Sequence, residues 1–517
     1  MHPDTIDATA YARRWKTLCV LSLSLLLIGL DNTVLNVALP TLQSHFSASA
    51  STLQWIVDAY LLAFAGVLLT MGTLGDRFGR KRALQSGLVL FGLASVLAAM
   101  AGDANQLIAL RAAMGIGGAM IMPATLSVIM NVFPREERAK AIGIWSAIAG
   151  VGIGLGPFVG GLLLEWFSWS AVFWLNVPIV ALALIAGARL VPESRDARPG
   201  AFDLPGAALS IGMLVTLVYG IIEATPRGWT DPLVLGCFAS AAVLCAAFLA
   251  WERHVAAPML PLSFFRDPRF TVASVGVGLV FFAMMGSVFA FTQYLQFAHG
   301  FSALEAGTAM LPLALGLVVG SGASHRLAER VGQTKVIAGG LVGVAVVLST
   351  SLAWTPEMAP FLLGFVTFGL ALSMGAAMAP ATDSVMSAVP ESKAGVGSAM
   401  SDVTRQVGGA LGVAVIGSII GTAYSRDMSG VGGAAEESVG AAYTAAQHVG
   451  GASGRELADT AGHAFTEALG IGLTAAAVVA LAGALLVLLR LPGDRGTAAV
   501  PVAAGPRPTM APEPVAS

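Results

Sequence analysis

Apolar residues in this chain neither alternate with polar ones nor gather in one block. They form continuous runs of about 20 residues, separated by short charged clusters or by Pro and Gly. A helix of that length crosses a bilayer and satisfies all of its own backbone groups there, whereas a barrel would require strict alternation. The runs predict spans near 15–40, 52–73, 83–101, 105–130, 140–165 and 169–190, a pair near 204–224 and 231–251, and six more near 269–298, 303–322, 334–352, 358–380, 394–423 and 465–490. The expected fold class is therefore an all-α integral membrane protein with 14 transmembrane helices. Its domains are an N-terminal six-helix bundle (15–190), two inserted linker helices (204–251), a C-terminal six-helix bundle (269–490) and a disordered tail (491–517).

Charge adds orientation. With an even number of spans both ends share a side, and 23 of the 28 Lys and Arg fall on that side, 3 opposite and 2 inside spans, so the termini are expected in the cytoplasm. The Gly-, Ala- and Ser-rich segment 424–462 then becomes a long outer loop without a recognisable site. Composition agrees, with 56% hydrophobic and 11% charged residues against a soluble norm nearer one quarter charged. A net charge of −2 offers no surface to nucleic acid. The basic flank Arg13, Arg14 and Lys16 resembles a signal peptide, but the run after it is too long and carries Asp31, so it reads as a retained first helix. Cys19, Cys237 and Cys245 lie inside apolar runs and imply neither a disulfide framework nor a metal site.

Ionisable residues within spans are candidates for function because each costs a few kcal/mol unless it has a partner or a wet cavity. At about 1.5 Å per residue, Asp31 on span 1 and Asp58 and Arg111 on spans 2 and 4 fall at similar depth in the outer half, which makes one polar cluster plausible. Arg111 could hold one carboxylate ionised while desolvation favours protonation of another, the equipment of a proton carrier; a merely structural bond is the plainer alternative. Asp402 and Arg405 on span 13 stand three apart and can neutralise each other on one face. Glu165, Glu223 and Glu305 fall at outer helix ends, where solvated positions explain them. Phe289, Gln293 and Gln296 on span 9 belong to an adaptable aromatic and amide surface that either packs against lipid or, turned inward, suits greasy and cationic substrates. Catalysis finds no support: the seven histidines are scattered, and neither a phosphate-binding Gly-Lys-Ser/Thr loop nor a nucleophile elbow is present. No cofactor or metal is expected, and an ion gradient replaces ATP as the energy source.

Motifs between and within spans sharpen this. The connection after span 2, Asp76-Arg77-Phe78-Gly79, has a faint echo in Glu329-Arg330-Val331-Gly332 after span 10, which suggests two related halves around a midplane site. The segment Gly72–Arg82, in which Gly72, Asp76, Arg77, Gly79 and Arg80 match the pattern, resembles the signature loop of the major facilitator superfamily. That resemblance implies two six-helix bundles and a loop that holds one side of them together. In span 5, Gly152 with Gly156-Pro157-Phe158-Val159-Gly160-Gly161 is similar to the antiporter motif of that superfamily, although close helix packing also accounts for the glycines. Leu30-Asp31-Asn32-Thr33 through Pro40 resembles the motif of its fourteen-span drug:proton antiporters, and Trp55 to Tyr60, Arg111 with Gly115, and Trp169 through Asn176 and Pro178 fit the same family. The resemblance implies a multi-pass protein of the bacterial cytoplasmic membrane that exports lipophilic, in part cationic, drugs or antibiotics in exchange for protons. Its partners would be small molecules, protons and the lipid bilayer, with a monomer as the working unit. The buried charges make Asp31, Asp58 and Arg111 the candidates for proton coupling, and the family gives the arginine matching Arg111 a part in proton transfer; Asn32, Trp55, Phe289, Gln293, Gln296, Asp402 and Arg405 are the candidates for a substrate cavity. A dedicated exporter of one metabolite, lipid or self-made antibiotic, or a non-transporting membrane sensor, are the alternatives.

Overall fold

The computed structural model describes residues 8–46, 50–195, 203–256, 258–356, 358–390, 393–436 and 438–492. Most of the expected tail, from 493 onward, lies outside them. The first group of helices comprises α1 (Ala8–Phe46), α2 (Ala50–Phe78), α3 (Arg80–Ala99), α4 (Ala104–Val132), α5 (Arg135–Trp166), the short α6 (Ala171–Trp174) and α7 (Asn176–Leu190). Two helices follow, α8 (Leu204–Arg227) and α9 (Pro232–His254). The second group is α10 (Pro268–Gln293), which ends in a π turn over Tyr294–Ala298, then α11 (Ala303–Ala309), α12 (Leu311–Val331), α13 (Gln333–Ser349), α14 (Pro360–Ser387), α15 (Ala394–Asp427), α16 (Val439–Val449) and α17 (Gly451–Arg490). Among the described residues 14 helical segments are long and apolar enough to cross a bilayer, matching the number of hydrophobic runs.

Within the first group α1 packs on α5 and α7, and α4 on α2 and α3; within the second α14 packs on α12 and α13, and α10 on α15 and α17. Two seams join the groups, α2 against α15 and α5 against α12. The inserted α8 and α9 pack on each other, and α8 leans on both α2 and α15. Trp55 stacks on Tyr219 of α8 with ring centroids 5.9 Å apart, and the Trp229 indole donates to Ser418 of α15 at 3.0 Å, so the pair covers the α2–α15 seam toward the end remote from the termini.

The echo between the two connecting loops is geometric as well. Gly79 (φ 119°) and Gly332 (φ 90°) each turn the chain between two helices, in a backbone region that a side chain would strain. Each N–H bonds four residues back, to Gly75 and Ala328.

The segment 424–462 differs from the expected loop. The helix α15 runs on to Asp427, α16 intervenes, and α17 starts at Gly451 rather than near 465. Hydropathy marks apolar runs, but a polar stretch with good helix formers such as Arg455-Glu456-Leu457-Ala458 also forms helix by propensity. This piece is tied down. The Tyr424 hydroxyl donates to the Ala435 carbonyl at 3.1 Å, and Tyr443 packs on Phe297 of the π turn. The Glu436 carboxylate accepts the N–H groups of Gly430 and Gly432 at 2.8 Å each, which holds its carboxyl below the ordinary carboxylate range.

Candidate functional site

Three helices of the first group bring one buried hub together. Asp31 on α1 is 3% exposed; its Oδ2 accepts from Arg111 of α4 at 2.6 Å and its Oδ1 from the Asn176 amide of α7 at 3.0 Å. Asn176 also donates to Ser95 at 3.1 Å, and Ser95 donates to the Phe173 carbonyl. The Arg111 guanidinium lies 4.5 Å from the Tyr60 ring centroid, donates to the Ile56 carbonyl at 3.2 Å and touches the Met114 sulfur. A carboxylate in a low-dielectric interior is stable only when paired and hydrogen-bonded, and both of its oxygens are.

The depth count thus brings Asp31 and Arg111 together correctly but does not bring Asp58 onto Arg111. Tyr60 faces Arg111, and Ile56, four residues away, shares its side of α2. Residue 58 stands two from each, about 200° round the helix, and is half-buried on the opposite side. Trp55, three residues before it, is the ring that stacks on Tyr219, so the Asp58 side of α2 is turned toward α8. Asn32 is half-buried next to Asp31.

The second group holds a different pair. Asp402 Oδ1 accepts from Arg405 at 2.8 Å within α15, as their spacing predicts, and both are buried. Arg405 also donates to Thr382 of α14 at 2.9 Å and lies 5.0 Å from the Trp145 ring of α5 and 5.6 Å from Phe281 of α10. Asp402 Oδ2 and Arg405 Nε are buried without a hydrogen-bond partner. Phe289 packs beside Gly417 of α15, whereas Gln293 is half-buried and Gln296 exposed near the π turn, so these residues do not share one wall with Asp402.

The loop between α2 and α3 reaches across the seam. Asp76 Oδ1 accepts from Arg80 at 2.7 and 2.8 Å and from the Gly395 N–H at 3.0 Å, and its Oδ2 accepts the Val396 N–H at 3.2 Å. Gly395 and Val396 open α15, so one first-half carboxylate caps a second-half helix where unsatisfied N–H groups and the dipole favour an anion. Gly72 lies against Gly395 and Ala399. Arg77 packs on the Phe78 ring, and Glu193 after α7 receives the Lys81 N–H at 3.2 Å and Arg82 at 3.6 Å.

The span-5 glycines serve two neighbours. Gly152, Gly156 and Gly160 face α1, and a Cβ at Gly152 would come within 3.0 Å of the Leu26 carbonyl oxygen. Gly150, Gly154 and Gly161 face Leu317, Ala314 and Leu304 across the second seam, and Pro157 sits inside the helix beside Gly307. Sequence reasoning missed Trp145, Glu193 and the α15 N-terminus as partners. Among the described residues no group of three or more His, Cys, Asp or Glu could hold a metal.

Residues 21–413 match the family model of the Major Facilitator Superfamily. The multidrug efflux pump LfrA of Mycolicibacterium smegmatis is 38% identical over 486 residues, covering 92% of this chain and 96% of its own. The tetracenomycin C resistance and export protein of Streptomyces glaucescens is 33% identical over 520 residues, with 95% of each chain covered. The crystal structure of the human organic anion transporter MFSD10 superposes with a TM-score of 0.59 at 16% identity, covering 92% of this chain and 99% of that one, which shows the shared all-helical fold.

Proposed function

Because the chain belongs to the major facilitator superfamily, a family of membrane transporters and not of enzymes, we propose that it exports lipophilic, in part cationic, drugs or antibiotics across a bacterial cytoplasmic membrane in exchange for protons. Efflux is supported by relatives named for multidrug efflux and antibiotic export along nearly the whole chain. Proton coupling rests on one observation above the rest, the buried hub in which Asp31 is held by Arg111 and Asn176 on three helices. Asp31 takes the proton when its surroundings open to the outer side and returns it inside. Arg111 stabilises the ionised form between those events, and Asp58 on the α8 side of α2 is a second acid at similar depth.

Asp76 is the latch of the α2–α15 seam on the face that carries both termini, which the charge bias places in the cytoplasm. Alternation between two accessible states then requires Asp76 to release the α15 N-terminus. Asp402 and Arg405, beside Trp145 and Phe281, form the wall of the substrate path that bridges the two bundles, with Trp55, Asn32, Phe289, Gln293 and Gln296 toward the outer side.

Proton release on adding a lipophilic cation to the detergent-solubilised protein tests coupling directly. Wild type should release protons in a pH-dependent amount, and Asp31→Asn should not; equal release from both would move coupling to Asp58 or Asp402. For orientation, a cysteine replacing Ser438 at the start of α16 should react with an impermeant thiol reagent on intact cells. Labelling only after lysis would invert the assignment. A dedicated exporter of one self-made antibiotic is the second reading, favoured by the likeness to a tetracenomycin export protein and tested by a narrow profile across a substrate panel.

A further inference from the structure

The inserted helices carry a pair of acids that transport does not explain. Asp203 caps the start of α8 and Glu252 lies in the last turn of α9; they are 6% and 4% exposed. Each carboxyl has one satisfied oxygen. Asp203 Oδ1 accepts from the Gly206 N–H at 2.9 Å and from the Trp251 indole at 2.8 Å, and Glu252 Oε2 accepts the Leu260 N–H at 3.1 Å. The remaining two oxygens, Asp203 Oδ2 and Glu252 Oε1, are buried and have no donor. They flank the same spot, since a methyl group at Gly206 would press on both and come within 3.0 Å of Glu252 Oε1.

Two carboxylates facing each other in a dry site repel, and two acceptors cannot bond without a hydrogen between them. Among the described residues no cation on the surrounding elements supplies one. Arg253 and His254 follow Glu252 on α9 but are exposed, and so are Arg266 and Arg269 at the entry to α10, where Asp267 caps the helix by accepting the Arg269 N–H. On α2 and α15, Asp76 bonds Arg80 and the α15 N-terminus, Arg77 packs on Phe78, Asp58 lies well removed along α2, and Asp402 and Arg405 bond each other; Lys393 is half-buried at the start of α15.

We propose that Asp203 and Glu252 bind one proton between them, as an O–H···O⁻ bridge that clasps the two ends of the inserted helix pair to the Met259–Leu260 segment leading into the second bundle. It is a proton-binding site separate from the acids of the transport path, at the end of the molecule that carries both termini. Deprotonation leaves two charges face to face, so the clasp loosens as pH on that side rises, and the inserted pair becomes free to shift against the α2–α15 seam that it covers.

The sign is specific. The folded chain holds a proton that an unfolded chain has already lost, so this site makes stability fall as pH rises through its titration. In Glu252→Gln and Asp203→Asn the amide N–H replaces the shared proton and cannot be titrated away. The test uses the full-length protein in detergent, with infrared spectra and thermal melts over about pH 5 to 9. Wild-type-minus-variant spectra should show one protonated carboxyl stretch at the acid end that disappears at the alkaline end. At the alkaline end either variant should melt about 2 °C above wild type, and at the acid end level with it. Absence of that stretch at every pH, or a wild-type melting temperature that rises with pH relative to both variants, overturns the proposal. Should one variant fail to fold, the other carries both measurements.

Discussion

In the first half of the molecule the Asp31 carboxylate is closed on every side. Arg111 takes one oxygen and Asn176 the other, and all three helices belong to one bundle. In the second half Asp402 bonds only Arg405, three residues further along its own helix, and keeps one oxygen without a partner. Its arginine looks outward, toward Trp145 of the opposite bundle. The two pairs have the same chemistry but different positions relative to the seam. Rocking the bundles apart leaves the Asp31 hub whole, whereas it must pull Arg405 from the Trp145 ring. The connecting loops differ in the same way: Asp76 is buried and grips the second bundle, while its counterpart Glu329 is 64% exposed in its side chain and bonds only His325 at 3.3 Å within α12. One half therefore carries an acid held within its own bundle and a carboxylate that grips the other bundle, and the other a half-satisfied pair at the interface.

The largest effect should come from Asp31→Asn. The amide keeps size and one contact with Arg111 but cannot carry a proton, so proton-driven dye efflux from everted vesicles should fall at least about tenfold, with a normal size-exclusion profile; losing a hydrogen bond to a charged group costs about 1.5–3 kcal/mol. Efflux at the wild-type rate would break the distinction between the two pairs. Next come the loops. Asp76→Asn should slow efflux several-fold, roughly the 1 kcal/mol or so of a lost charged helix cap, and Glu329→Gln should stay within about twofold, since exposed pairs contribute little. Equal losses from both would make the halves symmetric after all. Between those two falls Trp145→Ala, which removes a cation–π contact of about 0.5–2 kcal/mol. Efflux should change about threefold and substrate preference should shift toward neutral compounds, with Trp145→Phe restoring most of both.

Much of this was legible from residues alone, and the rest was hidden for definite reasons. Fourteen apolar runs mapped onto fourteen spans because lipid forces continuous hydrophobicity on any helix that crosses it. The Asp402–Arg405 pair was readable because both lie on one helix at a fixed spacing. Depth placed Asp31 beside Arg111, but depth carries no information about helix rotation, so Asp58 was grouped with residues on the other side of α2. Trp145 and the α15 N-terminus were invisible as partners because they meet Arg405 and Asp76 from more than 200 positions away in sequence, across a seam that no local pattern encodes. The helix α16 escaped because its 11 residues are too few to read as a membrane-crossing run.

The glycines of α5 have a mechanical consequence. On one side the backbone of α5 lies on the backbone of α1, with Gly152 against Gly29 and Gly160 against the Val34 carbonyl; on the other, Gly143 and Gly154 lie against the main chain of α12 at Ser321 and Ala314. Side chains act as springs between helices, bending through rotamer changes before they pass on a push, and along these lines there are almost none to bend. A shift imposed at α12 is thus delivered to α1 with little slack, and α1 is the helix that bears Asp31. The middle helix therefore joins the second bundle to the helix that bears Asp31 over one helix diameter, through backbone contacts rather than a chain of flexible side chains.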